Sequence, residues 1–207
     1  HYPHWISEGM QDEGKIILFN NGIHRTNPYS EINMITPPTN SSGVYTNNVN
    51  ESFGPTEPDN IYGSPENTDF YSPILSSAQR LPNNNTLICE GTSGRFFEID
   101  NDKNIVWEYI NPISSNGVLT QGDEPASNKV FRVKKYALDY AAFDGKDLTP
   151  KEPIEIDYDL SNCTTLSLKI DEFNKITLYP NPVKDILYIN GLDLINKVEV
   201  YTNYGSK

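Results

Sequence analysis

The chain has 207 residues, opens on His1 rather than Met, and reads as a piece of a longer protein. A 36% hydrophobic and 11% aromatic share supports a packed core, while 15 Pro, 13 Gly and 24 Asn favour turns over the long helices of bundles and coiled coils. The formal charge of −12, with 16 basic residues scattered among 28 acidic ones, excludes a nucleic-acid backbone as partner.

In chain order, Lys15 to Phe19 is a first β-type run, closed by the turn Asn20-Asn21-Gly22. Thr86 to Cys89 repeats that design after the turn Pro82-Asn83-Asn84 and is closed by Glu90-Gly91. Arg95 to Ile99 is a third strand, the polar run Asp100 to Asn104 turns the chain, and Ile105 to Tyr109 is a fourth. These make an antiparallel meander whose aromatic residues Phe96, Phe97, Trp107 and Tyr109 are expected in its core.

The meander occurs twice. Ile17-Leu18-Phe19 before Gly22 matches Leu87-Ile88-Cys89 before Gly91, and Ser30-Glu31-Ile32 matches Phe97-Glu98-Ile99. The offset, about 67 to 70 residues, exceeds the roughly 40 to 50 of compact propeller repeats. Its surplus falls in Asn40 to Tyr71, which reads as a long irregular insertion. A radial sheet repeat with loops on one face fits this spacing.

Beyond Pro112 the pattern weakens, although Lys129 to Val133 alternates like a strand that begins another sheet, and Tyr136 to Pro150 has room for a short helix. Residues 156–174 read as a linker. A second β unit follows over 175–207, with Ile176 to Tyr179, the rigid Pro180-Asn181-Pro182, Ile186 to Ile189, and Lys197 to Tyr201. No apolar run nears the roughly 18 to 20 residues of a membrane-spanning helix, so no transmembrane segment is expected in these residues. Cys89 and Cys163 are too few for a disulfide framework or a zinc cluster; buried thiols and one disulfide between them both fit.

Two resemblances follow from these words. HYPHWISEG, GKIILFNNG, SSAQRLPNNNTLICEGTSGRFFEID, NIVWEY and VFRVKKYALDY with GKDLTP resemble the carboxy-terminal half of the bacterial aryl-sulfate sulfotransferases. That resemblance implies an all-β fold, the last blades of a six-bladed β-propeller, over residues 1–155. ITLYPNPVKDILYI followed by VEVY resembles the carboxy-terminal sorting domain of the Bacteroidetes type IX secretion system, a β-sandwich, truncated here at 207. It implies a secreted or cell-surface protein handled by the type IX machinery, with Tyr179, Pro180, Asn181, Pro182, Lys184 and Asp185 as the sorting motif.

The first resemblance implies transfer of a sulfuryl group from a phenolic sulfate donor to a phenol acceptor through a sulfo-histidine. A neutral imidazole attacks sulfur and cationic groups hold the sulfonyl oxygens. The scheme requires no metal, no cofactor and no nucleotide sulfate donor. Carried onto this chain, the histidine is His1, with His4 as the competing assignment, and the motif's following arginine is Arg25. Arg80 is a second sulfate holder. A further active-site histidine is expected just before Arg80, where this chain has Ser76, Ser77 and Gln79. That substitution supports a rival reading, a secreted propeller without transfer activity that serves as a binding or adhesion module.

Bland readings stand beside these. His4 can pack on Trp5, His24 can occupy a surface turn, and Arg80 can pair with a surface acid. Asp100 to Asn104 opens like a calcium loop but has Ile105 and Asn111 where that loop needs Gly and Glu, so it reads as a solvated turn.

Overall fold

The computed structural model describes residues 1–45, 50–159, 161, 177–179 and 188–190, and among them the chain is all-β with no α-helix. Its contacts divide it into two units, His1–Tyr158 and Asp159–Lys207. The first holds two four-stranded antiparallel sheets. One is ordered β1 (His4–Trp5), β2 (Ile16–Asn20), β3 (Glu31–Ile35), β4 (Asp59–Tyr62). The other is ordered β5 (Ser77–Arg80), β6 (Thr86–Glu90), β7 (Arg95–Ile99), β8 (Ile105–Ile110). Each strand pairs with the next, as in the blades of a propeller. Both sheets carry a bulge in the outermost pair, leaving Ile61 on β4 and Val106 on β8 as the extra residue. A small hairpin, β9 (Ile113–Ser114) with β10 (Gly117–Val118), follows the second sheet.

The ladder corrects the sequence alignment of the two repeats. Ile32 lies opposite Phe19 and Phe96 opposite Cys89, so the third strands align on Ile32 and Phe96, not on Ile32 and Ile99. A short slip of this kind is invisible in sequence because the turns between second and third strands differ in length.

Alternation along the strands sends Ile17, Phe19, Ile32 and Met34 of the first sheet and Ala78, Ile88, Phe97 and Ile99 of the second into one core. Phe70, from the connection between the sheets, packs edge-on against both Phe19 and Phe97, with ring centroids 5.5 and 5.8 Å apart. Of the four aromatics expected in the core only Phe97 is fully buried. Trp107 is half exposed, and Phe96 and Tyr109 are half-buried. Register explains this, since Phe96, Tyr109 and Trp107 share the opposite face of the second sheet from Phe97.

The stretch Asn40 to Tyr71 is not wholly irregular, because it contains β4 and the isolated bridge Thr39 to Tyr45. Lys129 to Val133 is not a strand of either sheet, but backbone bonds start it alongside the second one, the Val130 N–H donating to the Gly91 carbonyl at 2.8 Å and the Ser76 N–H to the Phe131 carbonyl at 3.0 Å. Side chains of β5 carry it on: Ser77 Oγ contacts the Val133 N–H and C=O, and the Gln79 amide brackets Lys135. Gly91 makes that approach possible, since a Cβ there would lie 2.5 Å from the Val130 carbonyl oxygen. Between Tyr136 and Pro150 the only helical piece is one 3₁₀ turn, Ala141–Phe143. In the second unit β11 (Thr177–Tyr179) pairs antiparallel with β12 (Tyr188–Asn190). Tyr179 ends β11; Pro180, Asn181, Pro182, Lys184 and Asp185 lie outside the described residues, as does Cys163.

The two sheets are joined by charge as well as by core. Arg80 of β5, 7% exposed, reaches Asp12 in the β1–β2 turn at 2.5 Å and Thr86 Oγ1 at 2.8 Å. Burial works against ionisation of Asp12, but the donors Lys15 and Arg80 outweigh it and hold the carboxyl below the ordinary aspartate range. A carboxylate depressed by folding contributes stability that is fully present above its unfolded pKa of about 3.9 and is lost as pH falls through the folded value. The melting temperature should therefore fall on acidification below about pH 4. Arg80→Met should lose about 2–3 kcal/mol at pH 7, below the roughly 3–5 kcal/mol of a fully buried pair because Asp12 is partly exposed and Lys15 still attends it. The variant's melting temperature, followed against pH, should show a flatter acid limb than the parent's.

Candidate active site

His1 is held onto β2 by the Phe19 N–H, which donates to the His1 carbonyl at 3.0 Å and extends the β1–β2 ladder back along the chain. Its Nδ1 lies 2.7 Å from Asn21 Oδ1. The Asn21 amide is itself clamped, since Nδ2 donates to the carbonyls of Ser72 at 2.7 Å and Leu75 at 3.2 Å. Carbonyls only accept, so the amide has one orientation and Oδ1 faces the imidazole. An acceptor at that position requires the proton on Nδ1, which leaves the neutral ring's lone pair on Nε2. His1 is exposed and lines a recess of about 490 Å³ with Asn20, Asn21, Gly22, His24 and Arg25.

His4 on β1 is half-buried, packed on the Tyr2 ring at 4.4 Å rather than on Trp5, with Nδ1 3.0 Å from the Tyr2 carbonyl oxygen. It lines a smaller recess, about 80 Å³, with Tyr2, Gln79, Arg80 and Lys134. The four sequence-derived residues thus fall into two pairs. His1 shares one recess with Arg25, and His4 shares another with Arg80.

Neither arginine is free to act as a simple sulfate holder. Arg25 stacks over the Tyr29 ring at 3.8 Å, donates to the Tyr29 carbonyl at 2.8 Å and pairs with the Glu31 carboxylate. Arg80 is engaged by Asp12, Thr86 and the Asn84 carbonyl, and only its Nε lacks an acceptor. His24 sits exposed in the turn after β2. Ser76 is buried in a hydroxyl network: its Oγ accepts from the Gly91 N–H at 3.0 Å and donates to Ser72 Oγ, to which Thr92 Oγ1 also donates. A histidine has no room there, so this position belongs to the scaffold.

Three groups were not singled out from sequence. Asn21 looked like a turn residue only, because its partners Ser72 and Leu75 come from a distant part of the chain. Arg132 falls within the expected strand Lys129 to Val133, and Lys134 lies just beyond it. The guanidinium of Arg132 lies 5.0 Å from the Tyr2 ring centroid, and Lys134 reaches the His4 recess. In the Asp100 turn, the carboxylate accepts from the N–H groups of Asp102 and Asn104, both at 2.9 Å, which accounts for its acceptors locally. A larger recess of about 840 Å³, lined by Asn111, Gln121, Asn128 and Glu155 among others, contains no histidine. Cys89 is a free buried thiol whose pKa burial pushes up to about 12, so it offers no thiolate for chemistry at neutral pH.

Two four-stranded antiparallel sheets packed face to face on one core are consistent with the blades of a partial β-propeller. The chain belongs to the arylsulfotransferase (ASST) family, whose model matches residues 1–139. No curated protein and no solved structure matches the chain. The family's general activity is sulfuryl transfer involving aryl sulfates.

Proposed function

We propose that this chain supplies the sulfuryl-accepting histidine of an aryl-sulfate sulfotransferase, and that this histidine is His1. The observation that carries the reading is the Asn21 clamp, which fixes the His1 tautomer and leaves Nε2 as the nucleophilic nitrogen. The hollow beside His1 is open to solvent and can admit an aryl ring, whereas the one beside His4, about 80 Å³, cannot.

The step is a displacement at sulfur. The Nε2 lone pair forms an N–S bond, the S–O bond to the aryl oxygen breaks, and its electron pair leaves as phenolate, which takes a proton. An acceptor phenol then gives up a proton, its oxygen attacks the same sulfur, and the N–S electron pair returns to Nε2. The proton gained in the first half equals that lost in the second.

The test is release of 4-nitrophenol from its sulfate ester by the full-length protein, with and without a second phenol. Turnover should depend on the acceptor and follow ping-pong kinetics. His4→Ala should retain most of the turnover. Folded protein with no transfer would favour the rival reading, a binding or adhesion propeller, which draws support from Ser76 standing where a histidine was expected. Residues 175–207 are proposed, on ITLYPNPVKDILYI followed by VEVY, as part of a type IX sorting domain that directs the protein to the cell surface or outside. A reporter fused to the full-length protein's sequence from Lys175 onward and expressed in a type IX-competent bacterium should be exported, and retention of the reporter would contradict it.

A further inference from the structure

Residues 72–76 form a bend between the two sheets, and Ser72 divides its hydrogen bonds between them. Its backbone faces the first sheet: the N–H donates to Ser30 Oγ at 3.0 Å, and the carbonyl is one of the two that accept from Asn21 Nδ2. Its hydroxyl faces the second. Ser72 Oγ accepts from the Thr92 N–H at 3.1 Å and from Thr92 Oγ1 at 2.8 Å, and Thr92 stands in the turn between β6 and β7. Ser72 is fully buried, so water does not compete for these bonds.

The far end of the bend is strained. Leu75 and Ser76 are consecutive non-glycine residues in the left-handed region, with φ of 63° and 85°. Residues with a Cβ avoid that region and persist there only where their surroundings hold them. The holders lie in the second sheet and the segment beside it. Ser76 Oγ accepts from the Gly91 N–H at 3.0 Å and lies 2.9 Å from Ser72 Oγ, and the Ser76 N–H is bound by the Phe131 carbonyl. The bend so held presents the Leu75 carbonyl to Asn21 Nδ2 at 3.2 Å, the second acceptor of the clamp.

We infer that Thr92 is a positioning residue for the transfer histidine, acting through Ser72 and Asn21; this rests on the reading of His1 as that histidine. The Thr92 hydroxyl holds Ser72, the Ser72 and Leu75 carbonyls hold the Asn21 amide, and Asn21 Oδ1 holds the proton on Nδ1 of His1. A turn of the second sheet thereby sets the tautomer of an imidazole carried by the first.

The experiment compares the full-length protein with Thr92→Val and Thr92→Ala, which remove the hydroxyl, and with Thr92→Ser, which keeps it. Thr92 is half-buried in a turn, a position where all three should fold. Nitrogen-15 NMR of histidine-labelled protein, with the His1 signal identified by its loss in His1→Ala, reads which ring nitrogen carries the proton when the ring is neutral. The parent and Thr92→Ser should show Nδ1 protonated, and the Val and Ala variants a mixture with the Nε2-protonated form. With 4-nitrophenyl sulfate and a phenol acceptor, those two variants should lose roughly 3- to 10-fold in kcat with KM little changed, and Thr92→Ser should recover it. A lower melting temperature with the parent's tautomer and kcat would make Thr92 purely structural and overturn the inference. So would a parent ring protonated on Nε2. If the folded parent transfers nothing, the tautomer decides alone: a shift in the Val and Ala variants supports the coupling of Thr92 to His1, and only the transfer reading falls.

Discussion

His1→Ala should abolish acceptor-dependent transfer, lowering kcat by on the order of 10³-fold or more, because removal of a covalent nucleophile leaves only binding and orientation to act. The effect should come without a matching loss of fold. His1 is exposed, and its ring touches only Asn21 among the described residues. Asn21→Ala is the informative companion. It keeps the nucleophile but removes the acceptor that fixes the tautomer, so kcat should fall about 10- to 100-fold with KM little changed, as when the group orienting a catalytic histidine is lost. Asn21 also ties the β2 turn to the connection between sheets through Ser72 and Leu75, so the melting temperature should drop slightly as well. A purely structural Asn21 would lower the melting temperature and leave kcat of the folded fraction untouched.

The second large effect is on stability, and it separates two aromatics that look alike in sequence. Phe97→Ala should cost about 3–5 kcal/mol, because its ring is fully buried among Phe70, Tyr62 and the sheet residues of both blades, and no neighbour can close the cavity. In a chain of this size that corresponds to a fall of roughly 10 °C or more. Trp107→Ala should cost about 1 kcal/mol or less, since the indole is 47% exposed and its ring contact is the stacked Tyr109. Thermal denaturation of the two variants side by side checks the register of the second sheet, because a one-residue slip of β8 would turn Trp107 to the face that Phe97 occupies and raise its cost.

The contrast shows where sequence reading succeeds. Strands whose turns are sharply marked were legible, notably β2 before Asn20-Asn21-Gly22 and β6 to β8 around Asp100 to Asn104. Strands with weak apolar content were not. β4 is Asp-Asn-Ile-Tyr within a polar loop, and β5 is Ser-Ala-Gln-Arg, buried because β2 of the first sheet packs on it and residues 129–135 run along it, not because its own residues are apolar. Burial of that kind depends on neighbours distant in the chain.

The site followed the same rule. His1, His4, Arg25 and Arg80 could be picked out as residue types in a recognisable pattern, but their electrostatic state could not. Arg80 meets Asp12 across the gap between the blades, and Arg25 meets Glu31 across the β2–β3 turn, so two expected anion holders already carry acidic partners. Arg80 and Asp12 stand 68 residues apart, so only the packing of one sheet on the other reveals their pairing.

The central claim is that His1 carries the sulfuryl group between donor and acceptor. Full-length protein mixed with 4-nitrophenyl sulfate in the absence of acceptor, quenched under alkaline conditions and mapped by mass spectrometry, tests it directly. The account predicts a sulfuryl adduct on the peptide containing His1, located on that imidazole, absent from His1→Ala and discharged when a phenol is added before the quench. Turnover with the adduct on another residue, or with direct transfer and no adduct at all, would contradict it.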